Sequence, residues 1–160
     1  MGDITIGIDI GGTKIQAAAI RSGDVIGAAR VETPRDGPEA LAAAVSEAVH
    51  EALADGFVER TDARSAGGGV PGSVDSRTGT VANSPNLAGF EGAEPVPLGA
   101  MISERLGGID VRLDNDVRAA IVGEWKRGAG RPYRNLLGVW VGTGVGGGLV
   151  LDGQLYEGTR

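Results

Sequence analysis

Glycine restricts the possible folds of this chain more than any other residue type. The sequence contains 29 glycines, and three clusters of them lie at residues 11–12, 67–69 and 142–148, close to apolar segments typical of β-strands. Because glycine lacks a Cβ atom, a cluster at a strand end allows the backbone to approach a ligand closely. The clusters therefore predict strands with ligand-binding turns and argue against a low-complexity linker.

Residues 1–56 predict three strands followed by a helix. The strands lie at residues 4–10, 14–20 and 25–32 and are joined by tight turns into a meander. The second strand is rich in alanine, which also suits a helix, but the close turns on both sides favour a strand. The helix at residues 38–54 begins with a proline, ends near Gly56 and has apolar residues three or four apart.

The rest of the chain continues to alternate between strand and helix signals. Strands are predicted at residues 65–70, 79–82, 110–113, 136–141 and 148–151, turns at 71–75 and a loop at 83–97. Helices are predicted at 98–106 and, with Asp114-Asn115-Asp116 as the entry, through about Arg127. A length of 160 residues suits one domain, or one domain and the start of another. This order of elements predicts an α/β fold.

The composition excludes several classes of function. No apolar run approaches the ~20 residues of a membrane helix, and the N-terminus lacks the basic and apolar regions of a secretion signal, so we expect a cytoplasmic protein without a membrane partner. The absence of cysteine and the single histidine exclude a thiolate zinc site or a histidine cluster within these residues. A net charge of -6 argues against a nucleic-acid partner.

The segment Asp9-Ile10-Gly11-Gly12-Thr13-Lys14 is typical of a turn that contacts phosphate groups. Its glycines allow backbone N–H groups to reach phosphate oxygens, Thr13 adds a hydroxyl donor, and Asp9 can hold Mg²⁺ directly or through water. An ordinary hairpin turn accounts for the same residues. A Walker A loop is excluded, because the segment ends in Gly-Thr-Lys where that motif requires Gly-Lys-Ser or Gly-Lys-Thr.

Residues 142–148 contain the Gly-x-Gly-x-x-Gly pattern of dinucleotide-binding folds. That pattern opens a helix, whereas here Leu149-Val150-Leu151 continues as a strand. A β-hairpin with a glycine-rich turn is the better interpretation. It repeats the plan of the first turn, and two such turns facing each other can clamp the phosphates of one nucleotide.

Two further segments carry polar side chains in turns or at a helix start. Asp114-Asn115-Asp116 is explained by helix capping, but only one residue can be the cap, and a carboxylate there can also accept the proton of a substrate hydroxyl. Asn86, in the turn Ser84-Pro85-Asn86-Leu87, has an amide suited to a vicinal diol. Each segment alone is also explained by local structure.

Five motifs in this order resemble the ROK family of sugar kinases and related repressors. They are Asp9-Ile10-Gly11-Gly12-Thr13-Lys14, Gly69-Val70-Pro71-Gly72, Ser84-Pro85-Asn86-Leu87, Asp114-Asn115-Asp116 and residues 142–148. The resemblance covers nearly the whole chain and implies the actin-like ATPase (ribonuclease H-like) fold. It assigns residues 1–119 to the N-terminal lobe, and residues 120–160 to a connecting helix and the first hairpin of the second lobe.

The resemblance implies ATP-dependent phosphorylation of a hexose at its 6-hydroxyl, with glucose as the first candidate, ATP and Mg²⁺ as cofactors and Asp116 as the general base. Residues implied in sugar binding are Gly72, Asn86, Asn115 and Asp116. Residues implied in the two phosphate turns are Asp9, which also holds the metal, with Gly11, Gly12, Thr13 and Lys14, and then Gly142, Thr143, Gly144 and Gly146.

The chain also departs from the family pattern. The family continues into a Glu-x-Gly-His segment that binds sugar and into a cysteine-rich zinc site, and neither is present here. We therefore expect a truncated chain, inactive alone, whose full-length form dimerises through the missing lobe. The alternatives are a sugar-binding ROK regulator, which would carry a DNA-binding module before the first strand, and a sugar-binding remnant without catalysis.

Overall fold

In the computed structural model, which describes residues 3–141 and 144–157, the N-terminal strands form the predicted meander. They are β1 (Ile4–Ile10), β2 (Lys14–Arg21) and β3 (Asp24–Glu32), and each pairs antiparallel with the next. In β1 the four isoleucines are each 5% exposed or less, whereas Thr5 and Asp9 point to the open face. This alternation, with a period of two, determines which face of the sheet carries the core.

The meander belongs to a five-stranded mixed sheet. Helix α1 (Pro38–Asp55) leads to β4 (Ala63–Val70), which runs parallel to β1, and β7 (Asp110–Asn115) runs parallel to β4. The strand order is β3-β2-β1-β4-β7. Helix α1 buries Leu41, Val45, Val49 and Leu53 in the core shared with the β1 isoleucines. Burial of each such side chain is worth about 1.5–3 kcal/mol, so this layer holds the sheet together.

Three short elements connect β4 to β7. The strands β5 (Ser73–Asp75) and β6 (Thr80–Ala82) form a hairpin, and helix α2 (Leu98–Arg105) packs against α1 and β7. A backbone bridge joins Val81 to Val96, so the segment from 83 to 95 forms a loop whose two ends are held together. All of these elements lie in a compact unit, Met1–Asn115.

The second compact unit is Asp116–Arg160. It contains helix α3 (Asp116–Arg127) and the strands β8 (Leu136–Val141), β9 (Val145–Leu151) and β10 (Gln154–Leu155), which form an antiparallel sheet in the order β10-β9-β8. Ile121 of α3 is fully buried against the glycines of this sheet. The other face of β8 exposes Leu137, Val139 and Val141. The lobe boundary at residue 119 stays a prediction.

Most predicted elements are present, and the differences concern where they begin and end. The alanine-rich second strand is confirmed, because all its residues pair with β1 or β3. Strands β4, β7 and β9 are longer than predicted. Residues 73–75 are predicted to be a turn but pair with β6 as β5, in a short hairpin too brief to show a strand periodicity in the sequence. No helix among the described residues is long and apolar enough to cross a membrane.

Asp55 ties the end of α1 to the edge strand β3. Its Oδ2 accepts a hydrogen bond of 2.9 Å from the Ala28 amide. We expect Asp55→Ala to lower the free energy of unfolding by about 1 kcal/mol, because an amide of the edge strand loses its partner. Asp55→Asn should cost less than about 0.5 kcal/mol, since it keeps an acceptor and removes a negative charge from the helix C-terminus. Urea unfolding of the two variants measures the difference, and equal stabilities would contradict this role.

Candidate functional site

The ends of three parallel strands bring three predicted motifs onto one edge of the sheet. Asp9 of β1 pairs with Gly69 of β4, and Gly69 pairs with Asp114 of β7. Neighbouring strands lie about 4.8 Å apart, so Asp9 and Asp114 are about 10 Å apart with only a glycine between them. In α/β sheets, ligands bind beyond the carboxyl ends of the strands. This edge is therefore the candidate site of the larger unit.

The first glycine turn joins β1 to β2 at this edge. The Gly11 amide donates to the Lys14 carbonyl oxygen at 2.9 Å and closes the turn. A Cβ atom on Gly12 would lie 3.0 Å from both the Cβ and the carbonyl oxygen of Asn86. Glycine at residue 12 therefore allows the turn to pack closely on the loop that carries Asn86. The structure thus brings together the predicted phosphate turn and a predicted sugar ligand.

The Asn86 loop is anchored by its buried apolar residues. Leu87 and Phe90 are each 1% exposed. The Ser84 amide donates to the Phe90 carbonyl oxygen at 2.7 Å, and the Leu87 amide donates to the Ser84 carbonyl oxygen at 3.2 Å. Asn86 itself is exposed. The buried side chains hold the loop on the core, and its polar amide is left on the surface beside the glycine turn.

Gly72 and Asn115, both predicted sugar ligands, form a second contact within the candidate site. The Asn115 side-chain amide donates to the Gly72 carbonyl oxygen at 3.2 Å, across 43 residues of sequence. Gly72 has a φ of +109°, and a Cβ there would lie 2.8 Å from both the Ala82 carbonyl oxygen and the Ser84 Cβ. Only glycine fits this conformation and this space. The contact directs the Asn115 side chain from the end of β7 towards the turn after β4.

The predicted helix entry at Asp114-Asn115-Asp116 is present, with the helix itself beginning at the third of these residues. Asp114 and Asn115 continue β7, because they pair with Gly69 and Val70 of β4. The Asn115 amide donates to Asp114 Oδ1 at 2.8 Å. Helix α3 begins at Asp116, whose Oδ1 accepts a hydrogen bond of 2.9 Å from the following amide. Asp116 is half-buried and is the first residue of the smaller unit.

The second glycine cluster forms part of a β-hairpin, and this confirms that no dinucleotide-binding helix follows it. Strand β9 begins three residues earlier than predicted, so Gly146 lies within the strand opposite Trp140. A Cβ on Gly146 would lie 2.6 Å from Val117 Cγ2, so this glycine also allows β9 to pack on α3. Gly144 is exposed, while Gly142 and Thr143 lie outside the described residues. The phosphate contacts assigned to this hairpin stay predictions.

Thr33 is a residue of the site that the sequence did not reveal. It follows β3 directly and donates two hydrogen bonds to the first glycine turn, from Oγ1 to the Gly11 carbonyl oxygen at 2.6 Å and from its amide to the Thr13 carbonyl oxygen at 3.1 Å. The predicted meander of β1, β2 and β3 was the sequence signal that could have indicated the position of Thr33. Because Lys14 pairs with Glu32, the last residue of β3, the residue that follows it, Thr33, must lie beside Thr13.

The described residues contain no group of three or more His, Cys, Asp or Glu side chains placed to hold a metal ion. Mg²⁺ does not require such a group, because it commonly binds one or two carboxylates together with substrate phosphates and water. Asp9 has an exposed carboxylate near the end of β1, two residues before Gly11. The residues present therefore fit an ion that arrives with a nucleotide.

Comparisons with known proteins match nearly the whole chain. The ROK family model matches residues 5–160. The chain is 35% identical to a glucokinase of Streptomyces coelicolor over 162 residues, and 40% identical to an N-acetyl-D-glucosamine kinase of Citrobacter koseri over 156 residues. These alignments cover 97% and 95% of this chain but 46% and 48% of the relatives. The chain thus spans about half the length of the relatives it matches.

A solved structure shows the same fold. It is a ROK family glucokinase from Streptomyces griseus in complex with glucose and AMPPNP, with a TM-score of 0.83 and 32% sequence identity. The superposition covers 98% of this chain and 47% of the other. The chain therefore has the mixed α/β architecture of the actin-like ATPase fold, as its motifs predict.

Proposed function

Because the chain belongs to the ROK family, we propose that it forms part of an ATP-dependent hexose kinase that phosphorylates the sugar at its 6-hydroxyl. Glucose is the first candidate substrate. The solved neighbour from Streptomyces griseus is a glucokinase in complex with glucose and AMPPNP, which supports this choice. A relative named N-acetyl-D-glucosamine kinase makes the N-acetylated sugar the second candidate.

The observation that carries the proposal is the contact between two motifs with different ligand chemistry. Gly12, in a turn suited to phosphate, packs on Asn86, whose amide is suited to a sugar diol. Asn115 lies at the end of β7, which runs parallel to β4, and its side chain donates a hydrogen bond to the Gly72 carbonyl oxygen. A phosphoryl donor and a hydroxyl acceptor must meet for transfer, and these contacts support a site for both near the carboxyl ends of the strands.

The residues of the first glycine turn would bind and orient the phosphate groups and would form no covalent bond to them. The amides of Gly12 and Thr13 and the ammonium of Lys14 would bind phosphate oxygens, and Asp9 would hold Mg²⁺. When bound, Mg²⁺ supplies neutralisation of the charge on the transferred phosphoryl group. The exposed turn offers this chemistry because its residues lie at a strand end and its glycines carry no side chain to shield the backbone.

On the sugar side, Asn86 and Asn115 would orient the hexose hydroxyls and Asp116 would act as the general base. As the 6-hydroxyl oxygen attacks the γ-phosphorus, its proton passes to the Asp116 carboxylate. The oxygen–phosphorus bond to the sugar forms, the bond to the β-phosphate oxygen breaks, and ADP leaves. Most of the rate acceleration would come from positioning and from charge neutralisation.

The experiment is a coupled ADP-release assay on the longest product of the gene that encodes this chain, with ATP, Mg²⁺ and a panel of hexoses. We expect turnover of glucose or its N-acetylated relative, and none by the 160-residue chain alone. Calorimetric binding of each sugar is measured in parallel. Sugar binding without turnover in the longer product would contradict the kinase proposal and favour a sugar-responsive regulator.

A further inference from the structure

Thr33 is bonded to both ends of the first glycine turn. Its Oγ1 donates to the Gly11 carbonyl oxygen at 2.6 Å, and its amide donates to the Thr13 carbonyl oxygen at 3.1 Å. Thr33 is half-buried, and its side-chain bond spans 22 residues of sequence. One residue at the end of β3 therefore restrains a turn that belongs to two other strands.

The restraint determines where the turn directs its amides. Within residues 3–141 and 144–157, the amides of Gly12 and Thr13 donate to no protein acceptor, and both residues are exposed. The Gly11 carbonyl and the Gly12 amide share one peptide plane, and in a trans peptide they point in opposite directions. When Thr33 binds that carbonyl, the Gly12 amide must point away from Thr33, towards the open side of the turn.

Hydrogen bonds that restrain a turn have the largest effect where the backbone would otherwise be flexible. Two consecutive glycines have wide backbone freedom, and ordering them on ligand binding would cost affinity. A turn held in one conformation before the ligand arrives avoids most of that loss. A carbonyl oxygen held on the far side of the turn also removes a negative dipole from the position of a bound phosphate.

We propose that Thr33 is a positioning residue for nucleotide binding, which acts by holding the Gly11 and Thr13 carbonyls so that the Gly12 amide faces a phosphate group. The inference rests on the proposed function only in taking a nucleotide phosphate as the ligand of this turn. It does not depend on which sugar is phosphorylated, or on whether phosphorylation occurs.

The test compares Thr33→Val with Thr33→Ser in the longest product of the gene. Valine keeps the shape and the branching at Cβ but removes the Oγ1 donor, whereas serine keeps the donor. Calorimetry measures the Kd of ATP with Mg²⁺ and, separately, the Kd of glucose. We expect Thr33→Val to raise the Kd of ATP about five- to tenfold, as for loss of one hydrogen bond that orders a ligand site. Thr33→Ser should change it by less than about twofold.

Several results would overturn this role. They are an unchanged ATP Kd in Thr33→Val, an equal increase in the glucose Kd, or a wild-type protein that binds no ATP. A merely structural role would lower the melting temperature and weaken both ligands together. If Thr33→Val does not fold, Thr33→Ala is measured in its place, with the same expectation. Failure of the kinase proposal alone would appear as ATP binding that Thr33 controls without sugar turnover, whereas a wild-type protein that binds no ATP would overturn both proposals.

Discussion

Asp116→Asn is expected to lower kcat for hexose phosphorylation by about a thousandfold, within the range that a positioned general base contributes. The substitution keeps the shape of the side chain and an Oδ1 acceptor for the Val117 amide, so the start of α3 should be preserved. It removes the carboxylate that would accept the proton of the 6-hydroxyl. The Kd of the sugar should change by less than about threefold, since an amide also binds a hydroxyl.

The measurement is steady-state turnover with the preferred sugar, combined with calorimetry of sugar binding. Asp110→Asn is the matched control, because Asp110 lies at the other end of β7, is exposed and forms a surface ion pair with Arg112. It should retain full activity. A turnover rate of Asp116→Asn within tenfold of wild type would remove Asp116 from the chemistry, and the assignment would then move to another carboxylate.

Gly72→Ala is expected to destabilise the larger unit by about 3 kcal/mol and to raise the Kd of the sugar about tenfold or more. Two effects add at this residue. Gly72 has a φ of +109°, which an alanine adopts only with strain, and its new Cβ would lie 2.8 Å from the Ala82 carbonyl oxygen. Relief of that contact must move the Gly72 carbonyl, which accepts the hydrogen bond from the Asn115 amide.

Gly108→Ala separates strain from crowding. Gly108 also has a positive φ, +84°, but a Cβ there would meet nothing within 4 Å. We expect Gly108→Ala to lower stability by about 1–2 kcal/mol without changing sugar affinity. Urea unfolding and calorimetry are compared for the two variants. Equal effects of both substitutions on sugar affinity would show that the Gly72–Asn115 contact does not order the sugar ligands.

The predicted strand and helix positions were reliable where local patterns are strong. The alternating isoleucines of β1, and the proline start and glycine end of α1, depend on short-range chemistry that can be seen in the sequence. The bounds were less reliable at β7 and β9. Whether Asp114 continues a strand or opens a helix depends on its pairing with Gly69, and that pairing is a property of the folded sheet.

The glycines illustrate the same limit within the candidate site. Their clusters indicate close approach of the backbone, but not what approaches it. Gly12 allows the turn to pack closely on the Asn86 loop, and Gly146 allows β9 to pack on Val117. A glycine that is needed for packing and a glycine that is needed for a ligand have the same sequence signal, because both reflect the missing Cβ.

The α/β class could be predicted from the sequence alone, because it follows from local periodicity. The family was predicted from the resemblance of five motifs, which also contain the residues of the candidate site. The hydrogen bonds from Thr33 to the first glycine turn and from Asn115 to Gly72 span 22 and 43 residues and could be seen only in the folded chain. Such contacts arise from strand register and loop packing, which close only when the whole sheet has formed.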